Sequence, residues 1–454
     1  MVVALSLTSA AHADPSNVLV FPFENLTNDR TLDWIGEGIA ELIIGRLQSD
    51  PALDVFSRED RLTAFEKLSI PETAILSRAT ILKLGLDNGA DHVITGSFSG
   101  TGEDFQIVAR IIDMEAGAST DFKAGGKLQD VVSLTTTVTW HLLKRIVPGT
   151  TSPEADYTAR PPTPRSALEN YIRGILNPDL LKRIDLLQNA VRLYPQYAPA
   201  LFQLGRAYHL ASEFAMSNQW LEKLPTSTPE RQQVLFMMGL NYFNMNDYDD
   251  ALMKFQALPE THDVLLNLGA VFARKGDGTS ALSAWRRAAG VDPLSSDVSF
   301  NQGYLSFRQG DFQQAEKHLL GSLRLRGRDS EAMFLLGRTY ERLGRIEDAR
   351  RLIAQASRLS QRVERWQNQP IPELERFVTS TTFRGHDEVW TVKRLSRRTA
   401  SQDLTSWLDL VQAYVDTYLF GEALRELHDV LMVFPDSSEA RSLSTEVDRL
   451  RNVR

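Results

Sequence analysis

The stretch at residues 268–293 reads LGAVFARKGDGTSALSAWRRAAGVDP. Within it, Gly269 is followed by the small Ala281 and then by the bulky Trp285. Equivalent glycines recur with a period of about 34 residues, shortened once between Gly239 and Gly269, and they are Gly205, Gly239, Gly269, Gly303 and Gly337. At one constant spacing they are followed by the bulky residues Leu221, Phe255, Trp285, Leu319 and Ile353. A regular period of this length predicts a stack of similar helical hairpins.

The small residues of the pattern have a physical reason. Two helices of a hairpin can approach closely only where their side chains are small, so glycine and alanine are expected at the crossing point. With the run Leu268-Gly269-x-x-Phe272 and the later Ala281 and Pro293, the pattern resembles the tetratricopeptide repeat. That resemblance implies an all-α superhelical solenoid with a concave groove that binds a protein or a peptide.

Upstream of Gly205 one weaker copy is expected. Leu187, Ala190 and Pro195 fit the pattern, but the first helix of this unit, around Tyr171–Leu176, is interrupted by Asn177-Pro178. We therefore expect the repeats to begin at residue 167 and to continue to residue 360.

A further copy at Trp407–Pro435 follows only after about 40 additional residues, more than one period of the repeat. We expect residues 361–403 to be an insertion or a degenerate repeat, and residues 404–454 to hold the last repeat and a polar capping helix. The basic cluster Lys393–Arg398 is interpreted as a solvated helix face, with a site for an anionic partner as the alternative.

Before Ser166 the period disappears and strands are predicted. Val18–Phe23 reads as a buried strand, and Asp33 is expected to cap a helix at Trp34–Leu47. The further predicted elements are a strand at Leu53–Ser57, helices at Arg58–Leu68 and Arg78–Asn88, a hairpin of Asp91–Gly100 with Phe105–Asp113, and a helix at Gln129–Ile146. Residues 14–149 are thus predicted to form an α+β domain, a mixed sheet with flanking helices. The proline-rich residues 150–166 are predicted to be a linker.

Several short motifs of this domain carry a second resemblance. They are Val18-x-x-Phe21-x-Phe23-x-Asn25, Gly36-x-Gly38, Ala90-Asp91-x-Val93-Ile94-x-Gly96 and Asp113. Residues 17–147 resemble the small α/β domain shared by the amino-terminal part of the Tol–Pal translocation protein TolB and by curli and flagellar outer-membrane assembly factors (CsgG-like and FlgO-like). The resemblance implies an interaction module that faces the cell envelope, without pore formation.

The composition limits the compartment and the partners. The chain has 454 residues, a formal net charge of −8 and no cysteine, which argues against a nucleic-acid binder and excludes disulfides and thiolate chemistry. Ala11-His12-Ala13 has the form of a signal-peptidase site and follows the short apolar run Val2–Leu7. Residues 1–13 are interpreted as the remnant of an export signal, which predicts a periplasmic or exported protein. The chain is expected to be cytoplasmic if this stretch is not a signal. No stretch approaches the ~20 apolar residues of a membrane helix.

The sequence offers little for catalysis. The eight histidines are scattered and form no His-Glu-x-x-His motif. Gly36-Glu37-Gly38 is rejected as a dinucleotide loop, because Glu41 stands where the third glycine belongs and the motif lies inside a predicted helix. We therefore expect no enzymatic activity, no cofactor and no metal site.

The groove of the solenoid is the candidate site. Aromatic residues at one place of successive repeats are expected to bury partner side chains, and arginines at another place are expected to select acidic groups or carboxylates. The candidate groove residues are Phe202, Arg206, Phe236, Asn244, Asn267, Arg274, Phe300, Asn301, Tyr304, Arg308, Phe334, Arg338 and Arg342. Two alternatives stay open: these residues serve packing and solubility, or the asparagines and arginines form a carboxylate clamp.

The expected function is that of a non-enzymatic scaffold or adaptor in envelope assembly, secretion or transport. Its expected partner is a protein or a peptide, with a possible association with outer-membrane components. The alternatives are a sensor subunit of a bacterial signalling system that acts with a separate output protein, and an undetected hydrolase with polar residues clustered between the two domains.

Overall fold

The computed structural model describes residues 15–72, 74, 76–150, 153–154, 157, 163–293, 295–366, 371, 373–381, 404–416 and 420–452. Within them the chain divides between Gln203 and Leu204 into two compact units. An N-terminal mixed sheet with helices is followed by helices of a tetratricopeptide-like solenoid, so the predicted fold class is confirmed. The Ala11-His12-Ala13 motif and the Lys393–Arg398 cluster lie outside the described residues.

The first unit contains a mixed sheet. Its strands are β1 (Ser16–Val20), β2 (Glu24–Asn25), β3 (Leu53–Val55), β4 (His92–Ser99), β5 (Phe105–Asp113) and β6 (Ser119–Gly126). The order is β3-β1-β4-β5-β6, and β2 also pairs with β4. Strand β1 is parallel to β3 and β4, whereas β5 is antiparallel to β4 and β6. Consecutive residues of the central strands, such as Val18 and Leu19, are buried because both faces of these strands are covered.

The helices of the sheet domain are α1 (Trp34–Leu47), α2 (Arg58–Lys67), α3 (Arg78–Asp87) and α4 (Val131–Ile146). Ser57 and Asp60 form a capping box at the start of α2. Asp33 is the N-cap residue of α1 as predicted, but its side chain makes no capping hydrogen bond. The backbone of Asp33 is already helical, at φ −56°, and its carboxylate instead accepts a hydrogen bond of 2.6 Å from Asn25 Nδ2.

Strand β6 has no clear signal in the sequence. It contains two glycines, and among its side chains Ala124 alone is buried. Its backbone is ordered by antiparallel pairing with β5, from Ser119 opposite Ile112 to Gly126 opposite Phe105. Strands that depend on a neighbour in this way have weak local propensity, so the pattern does not predict them.

The first helical hairpin comprises α5 (Arg165–Ile175) and α6 (Leu180–Leu193). The prediction that Asn177-Pro178 interrupts a helix is wrong, because the dipeptide lies in the turn between these two helices. Asp179 then caps α6 by accepting hydrogen bonds from the backbone N–H groups of Leu181 and Lys182.

Helix α5 packs on the sheet domain within the first unit. The Tyr171 hydroxyl donates a hydrogen bond of 2.7 Å to Glu41 on α1, and Arg173 Nη2 donates one of 2.7 Å to the carbonyl of Thr31. Burial and the charge of Glu37 raise the pKa of Glu41 to about 7, although the hydrogen bond from Tyr171 opposes this. The hairpin α5–α6 therefore belongs structurally to the α+β domain.

The chain continues in further helical hairpins. They are α7 (Ala198–Leu210) with α8 (Phe214–Leu221), α9 (Arg231–Asn244) with α10 (Tyr248–Gln256), α11 (His262–Arg274) with α12 (Gly278–Val291), α13 (Ser296–Arg308) with α14 (Phe312–Leu325), and α15 (Ser330–Arg342) with α16 (Ile346–Leu359). After them come α17 (Gln361–Arg365), α18 (Leu404–Asp416), α19 (Phe420–Val433) and α20 (Ser438–Asn452). None of the helices in the described ranges has both the length and the apolar composition to span a bilayer.

The turns inside the hairpins share one construction. Gly276, Gly310 and Gly344 adopt φ angles near +80° between the first and second helix of their hairpins. This left-handed conformation costs little for glycine and ends the first helix. At the first two of these turns the next residue is an aspartate, Asp277 or Asp311, whose side chain caps the second helix.

The five repeated glycines lie where the two helices of each hairpin cross. A β-carbon built on any of them would lie less than 3.0 Å from the bulky side chain that faces it on the second helix of the hairpin. In the central hairpin that side chain is Trp285, which is fully buried and donates a hydrogen bond of 3.1 Å from Nε1 to the carbonyl of Leu266. The glycine thus accommodates the indole ring and sets the distance between the helices.

This packing predicts opposite effects for two glycines of the same hairpin. We expect Gly269→Ala to lower the free energy of unfolding by about 1–3 kcal/mol, because the added methyl group overlaps the Trp285 ring. Gly290, in α12, has no heavy atom within 4 Å of a built β-carbon, so Gly290→Ala should stabilise the chain by roughly 0.5–1 kcal/mol. Urea denaturation measures both, and equal effects would contradict the role given to Gly269.

Candidate functional site

An extended stretch of the second unit lies across the first helices of successive hairpins. It comprises residues 373–381, with the sequence ELERFVTST, and we name it the groove segment. Arg376 contacts Asn301 on α13, Val378 contacts Asn267 on α11, and Thr381 contacts Gln233 on α9. The groove segment therefore runs opposite to the order of the repeats along the chain.

Two asparagines hold the backbone of the groove segment. Asn301 Oδ1 accepts a hydrogen bond of 2.7 Å from the Arg376 N–H, and its Nδ2 donates one of 2.7 Å to the Arg376 carbonyl. Asn267 makes the same pair with Val378, at 2.7 Å and 3.2 Å. Gln233 Nε2 adds a hydrogen bond of 2.9 Å to the carbonyl of Thr381.

The spacing of these contacts follows from strand geometry. The N–H and C=O groups of every second residue in an extended chain point to the same side. Asn267 and Asn301 are one repeat period apart, and each stands at the second place before its repeat glycine, so they occupy equivalent places on α11 and α13. One asparagine per repeat thus matches every second residue of an extended peptide, whatever its side chains are.

A pair of arginines meets the acidic residue of the groove segment. Glu375 is buried, with its side chain 1% exposed, and Arg308 Nη1 donates a hydrogen bond of 3.2 Å to its Oε1. Arg274 Nε lies 2.9 Å from Glu375 Oε2, close enough for an ion pair although not aligned for a hydrogen bond. Arg274 also pairs with the exposed Glu373. Both arginines lie in the last turns of their helices.

Three carboxylates meet the next residue, Arg376. Its guanidinium makes two hydrogen bonds to Asp329, of 2.7 Å and 2.8 Å. It also lies 3.0 Å from Asp297 Oδ1 and 3.2 Å from Glu331 Oε2. Its Cζ atom stacks 3.6 Å from the centroid of the Phe300 ring. This combination of a bidentate carboxylate and an aromatic face is selective for arginine.

Asp297, Asp329 and Glu331 form a pocket around the Arg376 guanidinium, which we name the arginine pocket. Its charge depends on the pKa of Asp329. Burial alone would raise the pKa of Asp329, but the hydrogen bonds and charge of Arg376, with smaller contributions from the Ala332 N–H and Arg326, hold it below the usual 3.8. A lowered carboxyl pKa means that the interaction is fully present above pH 3.8 and is lost as the pH falls through the lowered value. At neutral pH the pocket is therefore anionic and complementary to a cation.

The positions of the two pockets fit an extended ligand. Asp297 and Glu331 lie in the first turns of α13 and α15, and Asp329 caps α15, whereas Arg274 and Arg308 lie in last turns. Adjacent side chains of an extended chain point to opposite sides. Glu375 and Arg376 accordingly reach opposite ends of the first helices, where the charges also complement the helix dipoles.

Apolar contacts complete the site. Phe377 packs on Phe243 of α9 with ring centroids 4.5 Å apart, and Arg274 lies over the same Phe243 ring. Leu374 is buried in the apolar cluster that includes Tyr340 and Trp366. The groove segment is thus held on the repeats by hydrogen bonds to its backbone, by ion pairs of its acidic and basic side chains and by contacts of its aromatic ring.

Some of the predicted groove residues contact this segment. Asn267, Asn301, Arg274, Arg308 and Phe300 do so directly. Tyr304 lies beside them, and burial together with the charge of Glu375 raises its pKa. Sequence reasoning had placed these residues in the groove, at several different places of the repeat.

Other predicted groove residues have different surroundings. Phe236 is fully buried with its ring 5.5 Å from Phe255, and Phe334 lies 5.7 Å from Trp366. Asn244 donates to the carbonyl of Leu240, Arg338 pairs with Glu341, and Arg342 lies over the Phe312 ring. Phe202 is buried and Arg206 is half-buried.

Sequence reasoning missed the arginine pocket and the groove segment itself. Asp297, Asp329 and Glu331 read as ordinary helix-start residues, which they also are. Gln233 lies one turn earlier in its repeat than the asparagines do. The signals that could have revealed the occupant are the prolines at 370 and 372 and the β-leaning run after them, which exclude a continuous helix there.

With this geometry in place, comparison with known proteins identifies the hairpins. Sequence models described as tetratricopeptide repeat match residues 233–262 and 295–362. The hairpins α9–α10, α13–α14 and α15–α16, which these two ranges cover, match the tetratricopeptide repeat. The matched ranges include Gln233, Asn301 and Asp329.

Curated relatives match part of the chain. The BBSome complex member BBS4 homolog of Drosophila melanogaster is 24% identical over 204 residues, which cover 42% of this chain and 42% of that protein. BBSome complex member BBS4 of Bos taurus is 25% identical over 189 residues, covering 41% of this chain and 36% of the relative. The chain thus spans less than half the length of these relatives. Among solved structures, pilF of Pseudomonas aeruginosa aligns with a TM-score of 0.35 and 18% identity, covering 44% of this chain and 93% of that one.

The asparagine contacts predict local protection of the groove segment. Asn301→Ala removes both hydrogen bonds to the Arg376 backbone, so the Arg376 amide should exchange its hydrogen roughly 10–100-fold faster, as expected for losing about 1–3 kcal/mol. Asn244→Ala is the matched control, since the Asn244 amide bonds only within its own helix among the described contacts. Hydrogen exchange read by mass spectrometry makes the measurement. Unchanged protection in Asn301→Ala would contradict the assigned contact.

Proposed function

We propose that this chain is a non-enzymatic scaffold that binds extended peptide segments of partner proteins across the first helices of its tetratricopeptide repeats. The observation that carries the proposal is the pairing of Asn267 and Asn301 with both backbone groups of alternate residues in an extended chain. Such contacts give affinity for any extended backbone, and neighbouring pockets add specificity.

The pockets define the partner chemistry. The pair Arg274 and Arg308 takes an acidic side chain, and the carboxylates around Asp329 take an arginine directly after it. Phe243 then offers a face to an aromatic side chain. Val378 also packs against the apolar cluster that includes Phe243 and Trp285. The preferred peptide therefore has the order acidic, arginine, aromatic, aliphatic.

The relatives are consistent with a binding role. The two BBS4 relatives named above are described as members of the BBSome complex. Tetratricopeptide solenoids generally present long surfaces for protein partners. The proposal for this chain is therefore adaptor activity rather than catalysis.

For the first unit we propose, on the resemblance of residues 17–147 alone, a role as a docking module at the cell envelope. Two residues of its motifs form hydrogen bonds that stabilise this domain. Asp91 Oδ2 accepts a hydrogen bond of 2.7 Å from the Asn17 N–H, and Asp113 Oδ1 accepts hydrogen bonds from the backbone N–H groups of Glu115 and Ala116. Fractionation of the natural host tests this role, and recovery of the protein only in the cytoplasm would contradict it.

A displayed peptide library tests the peptide-binding proposal. The bait is Arg376→Ala/Phe377→Ala, in which the groove segment has lost two of its anchors. We expect it to enrich peptides with an acidic residue followed by arginine and an aromatic residue. The same bait with Asn267→Ala/Asn301→Ala added should enrich none, while circular dichroism checks that both baits keep their helices. Equal enrichment by the two baits would contradict the proposal.

A further inference from the structure

The binding surface described above is already filled by the chain itself. Both asparagine amides, the arginine pair and the arginine pocket each have a partner in the groove segment. A peptide from another protein cannot use these groups at the same time. Access to the surface therefore requires that the groove segment leave it.

The contacts of the groove segment have the character of a ligand. The described part from 373 to 381 forms neither a helix nor a strand pair, and side chains of the repeats, among them Asn267, Asn301 and Gln233, form hydrogen bonds with its backbone. Glu373 and Thr379 are exposed. Leu374 and Phe377 add apolar contacts. Its other anchors are ion pairs and hydrogen bonds, which water and a competing peptide can replace in kind.

We infer that the groove segment is a tethered self-ligand: it closes the peptide-binding surface until a partner peptide with the order acidic, arginine, aromatic, aliphatic displaces it. This inference rests on the proposed function and adds its regulation.

Tethering explains how modest contacts can keep the surface closed. A ligand on a short linker has an effective concentration on the order of millimolar. For an assumed intrinsic dissociation constant of ~100 μM, the closed form would outnumber the open form by about tenfold, and the apparent affinity for a partner would fall by the same factor. A partner of higher affinity or high local concentration then opens the surface.

A labelled peptide tests the inference. The probe is fluorescent ELERFVTST, the sequence of residues 373–381, titrated by anisotropy into the intact chain and into Arg376→Ala/Phe377→Ala. We expect the variant to bind the probe at least about tenfold more tightly than the intact chain does, since its surface is open. Thr379→Ala, an exposed change in the same segment, is the matched control and should bind like the intact chain.

The outcomes separate the inference from the proposed function. Equal affinities of the intact chain and the double variant overturn the self-ligand and leave peptide binding in place. A folded double variant that does not bind the probe overturns both. A measurement on the intact chain avoids any risk from the substitutions: excess acetylated peptide should speed hydrogen exchange in residues 373–381, and unchanged exchange at saturation would also overturn the inference.

Discussion

The close contact between each repeat glycine and the bulky side chain facing it on the second helix is the constraint on which the binding surface depends. In each of the five hairpins that carry a repeat glycine, it lets the two helices approach closely, whether the bulky partner is leucine, isoleucine, phenylalanine or tryptophan. Hairpins of equal geometry stack at equal steps, so equivalent places on the first helices fall in a row. Asn267 and Asn301 lie in that row, and their match to alternate peptide residues follows from the repeat rather than from local loop structure.

Much of this arrangement could be predicted from the sequence. The glycine period indicates the hairpins, and the asparagines and arginines at equivalent places indicate a polar row. The order of the groove segment could not be predicted, because ELERFVTST has no period of its own and its contacts reach back 45 to 148 residues along the chain. Strand β6 escapes prediction for the same reason, since its neighbour supplies its hydrogen bonds.

The aromatic residues show a different limit of sequence reasoning. An apolar residue on a first helix is needed both for packing inside a hairpin and for contact with a ligand, so the pattern alone does not distinguish the two roles. Phe236 packs on Phe255 within its hairpin, whereas Phe300 supports the guanidinium of Arg376. Only the path of the groove segment separates these two equivalent phenylalanines.

Under the proposed function, the charges around Arg376 would decide which peptides can replace the groove segment. The hydrogen bonds from Asn267 and Asn301 reach the backbone of the bound segment and not its side chains, so they fit any extended backbone. The carboxylates of Asp297, Asp329 and Glu331 converge on one guanidinium, and without a cation they would face each other with like charge in a half-buried place. A peptide that lacks the arginine leaves this repulsion uncompensated, and one with an acidic residue there increases it. On the proposed function, selectivity at this surface would thus come from rejection of wrong peptides as much as from attraction of the right one.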